Sequence, residues 1–405
     1  MTVLGCVADD YTGGTDVAAA LRRSGLRTVL LFGTPPPGVD IPDCDAVVVA
    51  LKTRSAPARE AVAASLAARD RLTGLGARRV YFKYCSTFDS TDEGNIGPVA
   101  DALTEAAGER LTVVCPAAPE HGRTVYQGHL FVGDRLLSES PMRHHPLTPM
   151  TDPDLVRVLG AQTQYGVALV AHQTIARGQD AVRAALDELE ARGVRYAVTD
   201  AVDDRDLDVV ARAAAHLPVL TGAAGLARAA GALAASRTPV RDDLPVLPSG
   251  PGVVLAGSCS AATLEQVARA REHMPSHRLD PAGGDLAGKA IHWLETHFGG
   301  SGQVMVYSSA PPEERSPGSA EILEQALAAV AARAAQLGAR RIVVAGGETS
   351  GAVVNALGVT GAVVGGEADP GVPWLLTTGH PPLALLLKSG NFGRPDLLVQ
   401  AVEAP

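Results

Sequence analysis

Short runs of β-branched and apolar residues alternate along this chain with longer Ala- and Leu-rich stretches that carry Arg and Glu at helical spacing. That is the signature of strand-helix units built around a parallel sheet, and it constrains the fold more than any other feature. An α/β architecture with mainly parallel sheets follows. Strands are expected at 3–8, 46–50, 79–83, 112–115, 194–199, 218–221, 253–256, 304–307, 341–345 and 383–388. Helices are expected near 16–24, 58–75, 97–107, 180–192, 205–216, 262–272, 321–337 and 350–357. At 405 residues the chain exceeds the roughly 100 to 200 residues of one domain. The stretch 238–252 has four prolines and no helical period, and a new strand follows it at once. Two α/β domains are therefore expected, 1–240 and 253–405, joined by a linker at 241–252.

Hydrophobic residues make up 46% of the sequence and charged residues 20%, which excludes disorder for most of the chain. Lys and Arg number 35 against 44 Asp and Glu, a net charge of −9, and no segment gathers a basic run. Nucleic acid and membrane are therefore not expected partners, and a small molecule is. The five cysteines (Cys6, Cys44, Cys85, Cys115, Cys259) are odd in number, widely spaced and without a C-x-x-C pair. A reduced, cytoplasmic protein is expected, without a zinc site or redox disulfide. Asp9 and Asp10 stand where a signal peptide would extend its apolar stretch, and no segment approaches the ~18 apolar residues of a membrane helix.

Open α/β sheets bind ligands at the carboxyl ends of their strands, so the residues just after each expected strand are the site candidates. Val7-Ala-Asp-Asp-Tyr-Thr-Gly-Gly-Thr-Asp16 leaves the first strand. A helix cap and a tight turn account for one acid and the glycines. They do not account for three acids within eight residues, so Asp9 and Asp10 read as site carboxylates able to accept a hydroxyl hydrogen or a proton. Lys83-Tyr-Cys-Ser-Thr-Phe-Asp-Ser-Thr-Asp-Glu-Gly-Asn95 leaves another strand. Lys83 would neutralise a carboxylate while Ser86, Thr87 and Asp89 bond hydroxyls, a set suited to a polyhydroxy acid. Cys85 is a poor nucleophile candidate, because no base is spaced to activate it. The stretch 116–154 is expected to be irregular and gathers Arg123, Arg135, Arg143, His121, His129, His144 and His145 among Gly and Pro. A loop that long is usually functional. An arginine clamp on a carboxylate or phosphoryl group suits it better than zinc, for which the H-E-x-x-H spacing is missing.

In the second half, Leu255-Ala-Gly-Ser-Cys-Ser-Ala-Ala-Thr263, Val344-Ala-Gly-Gly-Glu-Thr-Ser-Gly351 and Leu387-Lys-Ser-Gly-Asn-Phe-Gly393 each follow an apolar strand, and two of them lead into helices. One such loop is ordinary turn chemistry. Three in one domain resemble a nucleotide cradle, since glycine lets the backbone approach phosphate oxygens and a helix N-terminus adds free N–H groups and a favourable dipole. Of the 43 glycines, Gly13, Gly14, Gly346, Gly347, Gly351, Gly390 and Gly393 are thus read as letting the backbone approach a ligand. Gly283-Gly-Asp-Leu-Ala-Gly-Lys289 mimics the start of a P-loop, but Ala290 stands where Mg²⁺ needs a hydroxyl and no buried strand precedes it.

Six blocks in order resemble the four-carbon acid sugar kinase family. They are Ala-Asp-Asp-Tyr-Thr-Gly-Gly-Thr-Asp at 8–16, Lys-Tyr-Cys-Ser-Thr-Phe-Asp-Ser-Thr at 83–91, Gly-Arg-Thr-Val-Tyr-Gln-Gly-His-Leu at 122–130, Met-Arg-His-His-Pro-Leu-Thr-Pro-Met-Thr-Asp at 142–152, Gly-Gly-Glu-Thr-Ser-Gly at 346–351 and Lys-Ser-Gly-Asn-Phe-Gly at 388–393. The middle two are more similar to the branch acting on 3-oxo-tetronates than to the sister branches acting on D-threonate or D-erythronate. The resemblance implies an N-terminal sugar-acid domain, a C-terminal ATP domain and an active site in the interdomain cleft. It implies phosphate transfer to a C4 hydroxyl, with Mg²⁺ carried by the nucleotide and no dedicated metal site. It places ATP on Ser258, Gly347, Glu348, Thr349, Ser350 and Gly390. In the first domain Asp10 or Asp9 would orient or deprotonate the hydroxyl. Lys83, Arg54 and Arg123 would hold the carboxylate or stabilise transferred charge, with Ser86 and Asp89 on hydroxyls. Gly14 stands where the family usually has Ala, Ala118 where an aromatic is common, and Thr378-Gly-His-Pro replaces a more glycine-rich turn. A homo-oligomer is left open. An NAD dehydrogenase is disfavoured by the lack of G-x-G-x-x-G after the first strand. A non-catalytic two-domain sensor would not need both an acid-and-hydroxyl site and a nucleotide cradle.

Overall fold

The computed structural model describes residues 2–36, 38–39, 41–145, 148–235, 245–316 and 318–403. The chain divides into two compact units, Met1–Arg241 and Asp242–Pro405. Positions 241–244 of the expected linker lie outside the described residues, as do Pro146 and Leu147 in the block 142–152.

The strands of the first unit are β1 (Leu4–Ala8), β2 (Thr28–Phe32), β3 (Ala46–Ala50), β4 (Arg79–Lys83), β5 (Thr112–Cys115), β6 (Arg123–Tyr126), β7 (His129–Val132), β8 (Arg135–Leu136), β9 (Gly166–Val170), β10 (Val194–Thr199) and β11 (Val219–Gly222). The main sheet runs β2-β3-β1-β4-β11-β5-β10-β9, with every neighbouring pair parallel. Strands β1, β2, β3, β5 and β11 are buried at every position, as in Ala46-Val-Val-Val-Ala50, which is why they read as continuous apolar runs and not as alternation. Ala8 pairs with Ala50 on one side and Lys83 on the other, so the segments that follow these three strands emerge side by side.

The first helix spans Tyr11–Arg23 and starts five residues ahead of its expected position. Asp10 moves the start forward: its carboxylate accepts the Gly13 N–H at 2.7 Å as an N-cap. Gly14, expected to approach a ligand, instead faces the sheet. A Cβ at position 14 would stand 2.5 Å from the Cβ of Ala50, so glycine lets this helix lie closer to β3 than any side chain would permit.

The stretch 116–154 is not the irregular loop its composition suggests. Strands β6, β7 and β8 form a small antiparallel sheet within it. Gln127 and Gly128 make the two-residue turn between β6 and β7 with φ of 52° and 74°, the mirror-image turn that suits strand twist. Asp200, just past β10 and fully buried, anchors that turn by accepting N–H bonds from Gln127 at 2.7 Å, Gly128 at 2.9 Å and His172 at 2.8 Å.

The second unit contains β12 (Gly252–Ala256), β13 (Ser276–Arg278), β14 (Gln303–Tyr307), β15 (Arg341–Ala345), β16 (Gly361–Asp369), β17 (Val372–Thr377) and β18 (Ala384–Lys388). They run β13-β14-β12-β15-β18-β17-β16, parallel as far as β18 and antiparallel beyond it. Strands β16 and β17 escape a reading by pattern because Gly365, Gly366 and Pro373 interrupt their alternation. The P-loop mimic has a plain structural use: Asp285 caps the helix Leu286–Ser301 through the Gly288 N–H at 2.9 Å. Among the described residues no helix is long and apolar enough to cross a membrane.

Candidate functional site

In the first unit the site is built on the carboxyl ends of β3, β1 and β4. Past β1, the Asp9 N–H donates to the Lys83 carbonyl at 3.0 Å, and the Asp9 carbonyl accepts from Thr53 N–H at 2.8 Å and Arg54 N–H at 3.1 Å. Asn95 holds the same turn from the far side, donating to the carbonyls of Thr53 at 2.6 Å and Ala56 at 2.9 Å. The turn folds Arg54 back onto the acids. Its Nε meets Asp9 Oδ2 at 2.9 Å, and its Nη2 meets Asp9 Oδ1 at 2.9 Å and Asp10 Oδ1 at 2.7 Å. This fork is bidentate, the geometry that guanidinium and carboxylate share. The side chain of Asp9 is 4% exposed and that of Asp10 26%.

Burial pushes the Asp10 carboxyl above its ordinary range, more than Arg54 draws it down. Burial alone would weaken the charge on Arg54 and Lys83, but the neighbouring carboxylates outweigh it and hold both above their ordinary values. Lys83 is buried, with its Nζ 3.0 Å from the Tyr84 carbonyl and 3.6 Å from Asp16 Oδ2. His121 Nε2 lies 3.7 Å from Asp16 Oδ1. Burial would raise Asp16, yet the adjacent His121 imidazole, aided by Lys83, holds its carboxyl below the usual range.

Gly13 stands at the centre of this cluster. A Cβ there would lie 2.3 Å from Asp10 Oδ1, 3.2 Å from Lys83 Nζ and 3.6 Å from Arg54 Nη2. On the loop after β4, Thr87 donates to Asp89 at 2.6 Å and Ser86 is half-buried. Cys85 is pushed up to about 12 by burial and by Asp89, so it stays a thiol. Arg123 bonds the His121 carbonyl and sits beside the cluster, not on it. Sequence reasoning passed over Asp16 and Asn95 as site residues. Asp16 lies on the same helix as Gly13, one turn on, and that helical spacing was the available signal.

In the second unit, loops after the adjacent strands β12, β15 and β18 meet. Gly257 N–H and Ser258 N–H donate to the Ala345 carbonyl at 2.9 and 3.1 Å, and Gly346 N–H donates to the Lys388 carbonyl at 3.0 Å. A Cβ on Gly390 would stand 2.4 Å from Ser258 Oγ, and one on Gly346 3.1 Å from the Ser258 nitrogen. Gly346, at φ 129°, caps the helix Gly347–Ala356, whose first turn holds Gly347, the exposed Glu348 and the buried Thr349. Such close packing around a helix N-terminus suits a chain of phosphates. Ser350 is fully buried and its hydroxyl donates to the Gly346 carbonyl at 2.7 Å, so its side chain supports the turn. A cavity of about 190 Å³ opens beside this edge, lined by Gly257, Cys259, Ser308, Arg315, Leu323 and Thr349 among others. Arg315, which sequence reasoning did not single out, shapes it by donating to the carbonyls of Ala310 at 3.1 Å and Cys259 at 3.0 Å. Among the described residues no three His, Cys, Asp or Glu side chains gather as a metal site requires.

Two family profiles match the chain, Sugar-binding N-terminal domain over residues 4–230 and Nucleotide-binding C-terminal domain over 253–398. A sugar-binding domain followed by a nucleotide-binding domain is the make-up of a carbohydrate kinase. The chain is 50% identical to the 3-oxo-tetronate kinase of Burkholderia multivorans, covering 99% of this chain and 97% of that one. It is 42% identical to the 3-oxo-tetronate kinase of Salmonella typhimurium, covering 99% of each. Two solved structures share the fold over 99% of both chains. One, from Salmonella typhimurium LT2 and described as a putative tRNA synthase, has a TM-score of 0.89 at 42% identity. The other, from Haemophilus influenzae, has a TM-score of 0.81 at 40% identity. The chain belongs to the family of these kinases, the four-carbon acid sugar kinases.

Proposed function

We propose that the protein is an ATP-dependent kinase that transfers a phosphoryl group to the C4 hydroxyl of a 3-oxo-tetronate. The observation that carries the site reading is the Arg54 fork on Asp9 and Asp10, packed around Gly13 with Lys83 beside it. Asp10 is the group that orients the hydroxyl and takes its proton. It is the more exposed of the two acids, and its raised affinity for a proton makes it the better base. Asp9, locked to Arg54, positions the pair. Lys83 and the remaining guanidinium edge of Arg54 offer positive charge to the substrate carboxylate or to the transferred group. Ser86 and Asp89 bond the sugar hydroxyls, with Arg123 as a further cation near the entrance to the cluster.

The loops at Ser258, Gly347–Ser350 and Gly390 hold the nucleotide. Mg²⁺ carried on ATP would neutralise the phosphate oxygens; the protein's own part is to position the two reactants and exclude water, which supply most of phosphoryl-transfer catalysis. The tRNA description of the Salmonella structure does not suit a chain of net charge −9 without a basic run. The free cysteines support a reduced, cytoplasmic setting.

ADP release across 3-oxo-tetronate, D-threonate and D-erythronate is the test. No ADP with any of them rejects the kinase, and turnover confined to the last two rejects the substrate. Asp10→Asn is expected to lower kcat about 100-fold or more. Wild-type turnover in Asp10→Asn, with loss in Asp9→Asn, would make Asp9 the base.

A further inference from the structure

Lys388, the last residue of β18, is wholly buried. Its Nζ donates to three neutral oxygens: Thr263 Oγ1 at 2.9 Å, the Gly390 carbonyl at 3.1 Å and the Phe392 carbonyl at 3.1 Å. An ammonium has three N–H bonds, so all are used. The Gly390 carbonyl is also reached by the hydroxyls of Ser260 and, at 2.8 Å, Thr263. Gln266 Nε2 gathers the next carbonyls, those of Phe392 at 3.1 Å, Gly393 at 2.9 Å and Arg394 at 3.0 Å. The loop after β18 is thus held by the carbonyls of Gly390, Phe392, Gly393 and Arg394, which turn inward.

In a trans peptide the N–H points opposite to the C=O. Inward carbonyls at Gly390 and Phe392 therefore turn the amides of Asn391 and Gly393 outward, and neither meets an acceptor among the described residues. Close outward amides form an anion-binding concavity. We propose that Lys388 is a positioning residue of the nucleotide site: its ammonium turns the 390–393 loop so that backbone amides face the phosphates, and nucleotide binding is coupled to proton uptake at Lys388. This rests on the reading of these loops as the nucleotide cradle.

Burial lowers the Lys388 ammonium to about 7, and among the described residues no anion offsets that. Glu265 and Arg269, on the helix Ala261–His273, pair with each other at 3.2 Å on an exposed face. That helix ends in Arg271, Glu272 and His273; Glu348 on the helix after β15 is exposed; Arg341 is at the opposite end of β15; and Glu403 ends the helix Leu397–Glu403. Arg394 on the loop pairs with Asp369 of β16 at 3.5 Å. None is bonded to Lys388 Nζ. Bound phosphates would supply the missing negative charge and stabilise the protonated form.

The test is titration calorimetry of MgATP at pH 8 in buffers of different ionisation heat. A group titrating near 7 is about one-tenth protonated there, so binding is expected to take up roughly nine-tenths of a proton, while a terminal phosphate titrating near 6 contributes little. Lys388→Met is expected to lose that uptake and to bind ATP about 30-fold more weakly, with an unchanged or higher melting temperature without nucleotide. A purely structural role would lower the melting temperature and leave the uptake in place. If Lys388→Met does not fold, the wild-type Kd decides, with an expected rise approaching tenfold per pH unit above 7. A flat affinity from pH 7 to 9, or proton uptake retained in Lys388→Met, overturns the role of Lys388. Failure of the wild type to bind ATP at all rejects the nucleotide cradle itself.

Discussion

Replacing Gly13 by Ala separates the site from the fold. The added Cβ would lie 2.3 Å from Asp10 Oδ1, against the ~3.5 Å at which non-bonded atoms rest, so the carboxylate must retreat by about 1 Å. It cannot do so and keep both its cap to the Gly13 N–H at 2.7 Å and its bridge to Arg54 at 2.7 Å. Losing the cap costs about 1 kcal/mol. Alanine in place of glycine within a helix returns about 1 kcal/mol, and Gly13 has no positive φ to forbid it. Stability is therefore expected to stay level, with a melting shift of a few degrees at most. Catalysis is not: a 1 Å misplacement of a reacting group costs on the order of 100-fold, equivalent to about 2.7 kcal/mol in the barrier. Coupled ADP release with a 3-oxo-tetronate, beside a melting curve, measures both. A variant that keeps more than a third of wild-type kcat/KM refutes the placement of Asp10 at the reacting hydroxyl, and a collapse of the melting temperature refutes the stability accounting.

Arg54→Met leaves the buried Asp9 carboxylate without its partner and is expected to cost about 3 kcal/mol in urea unfolding, with Arg54→Lys recovering little of it because one ammonium cannot reproduce the fork. Asp10 titrates higher folded than unfolded, so its ionisation opposes folding increasingly as pH rises from the unfolded value near 3.9 through the folded one. Asp10→Asn, which keeps the cap, is then expected to be more stable than wild type at pH 7 while inactive, with the gain vanishing below about pH 4; a less stable variant at pH 7 contradicts this. Asp200→Ala strands the buried Gly128 N–H and the more accessible N–H groups of Gln127 and His172 and is expected to cost about 2 kcal/mol, seen as faster hydrogen exchange at Gln127 and Gly128.

Much of the site was legible because a parallel sheet delivers whatever follows its strands to one edge. Asp9, Asp10 and Lys83 come together for that reason, as do Ser258, Gly347 and Gly390. What stayed illegible depends on side chains from turns and helices finding each other across the sequence. Nothing local shows that Arg54 folds back onto Asp9, or that Asp16 reaches both Lys83 and His121. The hairpin at 123–132 was a misjudgement of a different kind. Its alternating Thr-Val-Tyr and His-Leu-Phe flank a Gln-Gly turn, but many His and Arg residues in the surrounding stretch masked the period. The glycines likewise divided by position: Gly13 opens the acid cluster, while its neighbour Gly14 serves packing alone.

That packing has a further effect. The contact between Gly14 and Ala50 is a hard stop between a helix and a strand, with no polar group in it to titrate or to be screened by salt. The height of the Asp10 carboxylate above the sheet is therefore a fixed length of the scaffold. Substrate range in such an enzyme can drift through the 84–95 loop, whose residues hang from the strand end, while the start of the helix stays tied to β3: the alanine usual in the family at position 14 would need the helix to sit farther from Ala50, and with it the acid.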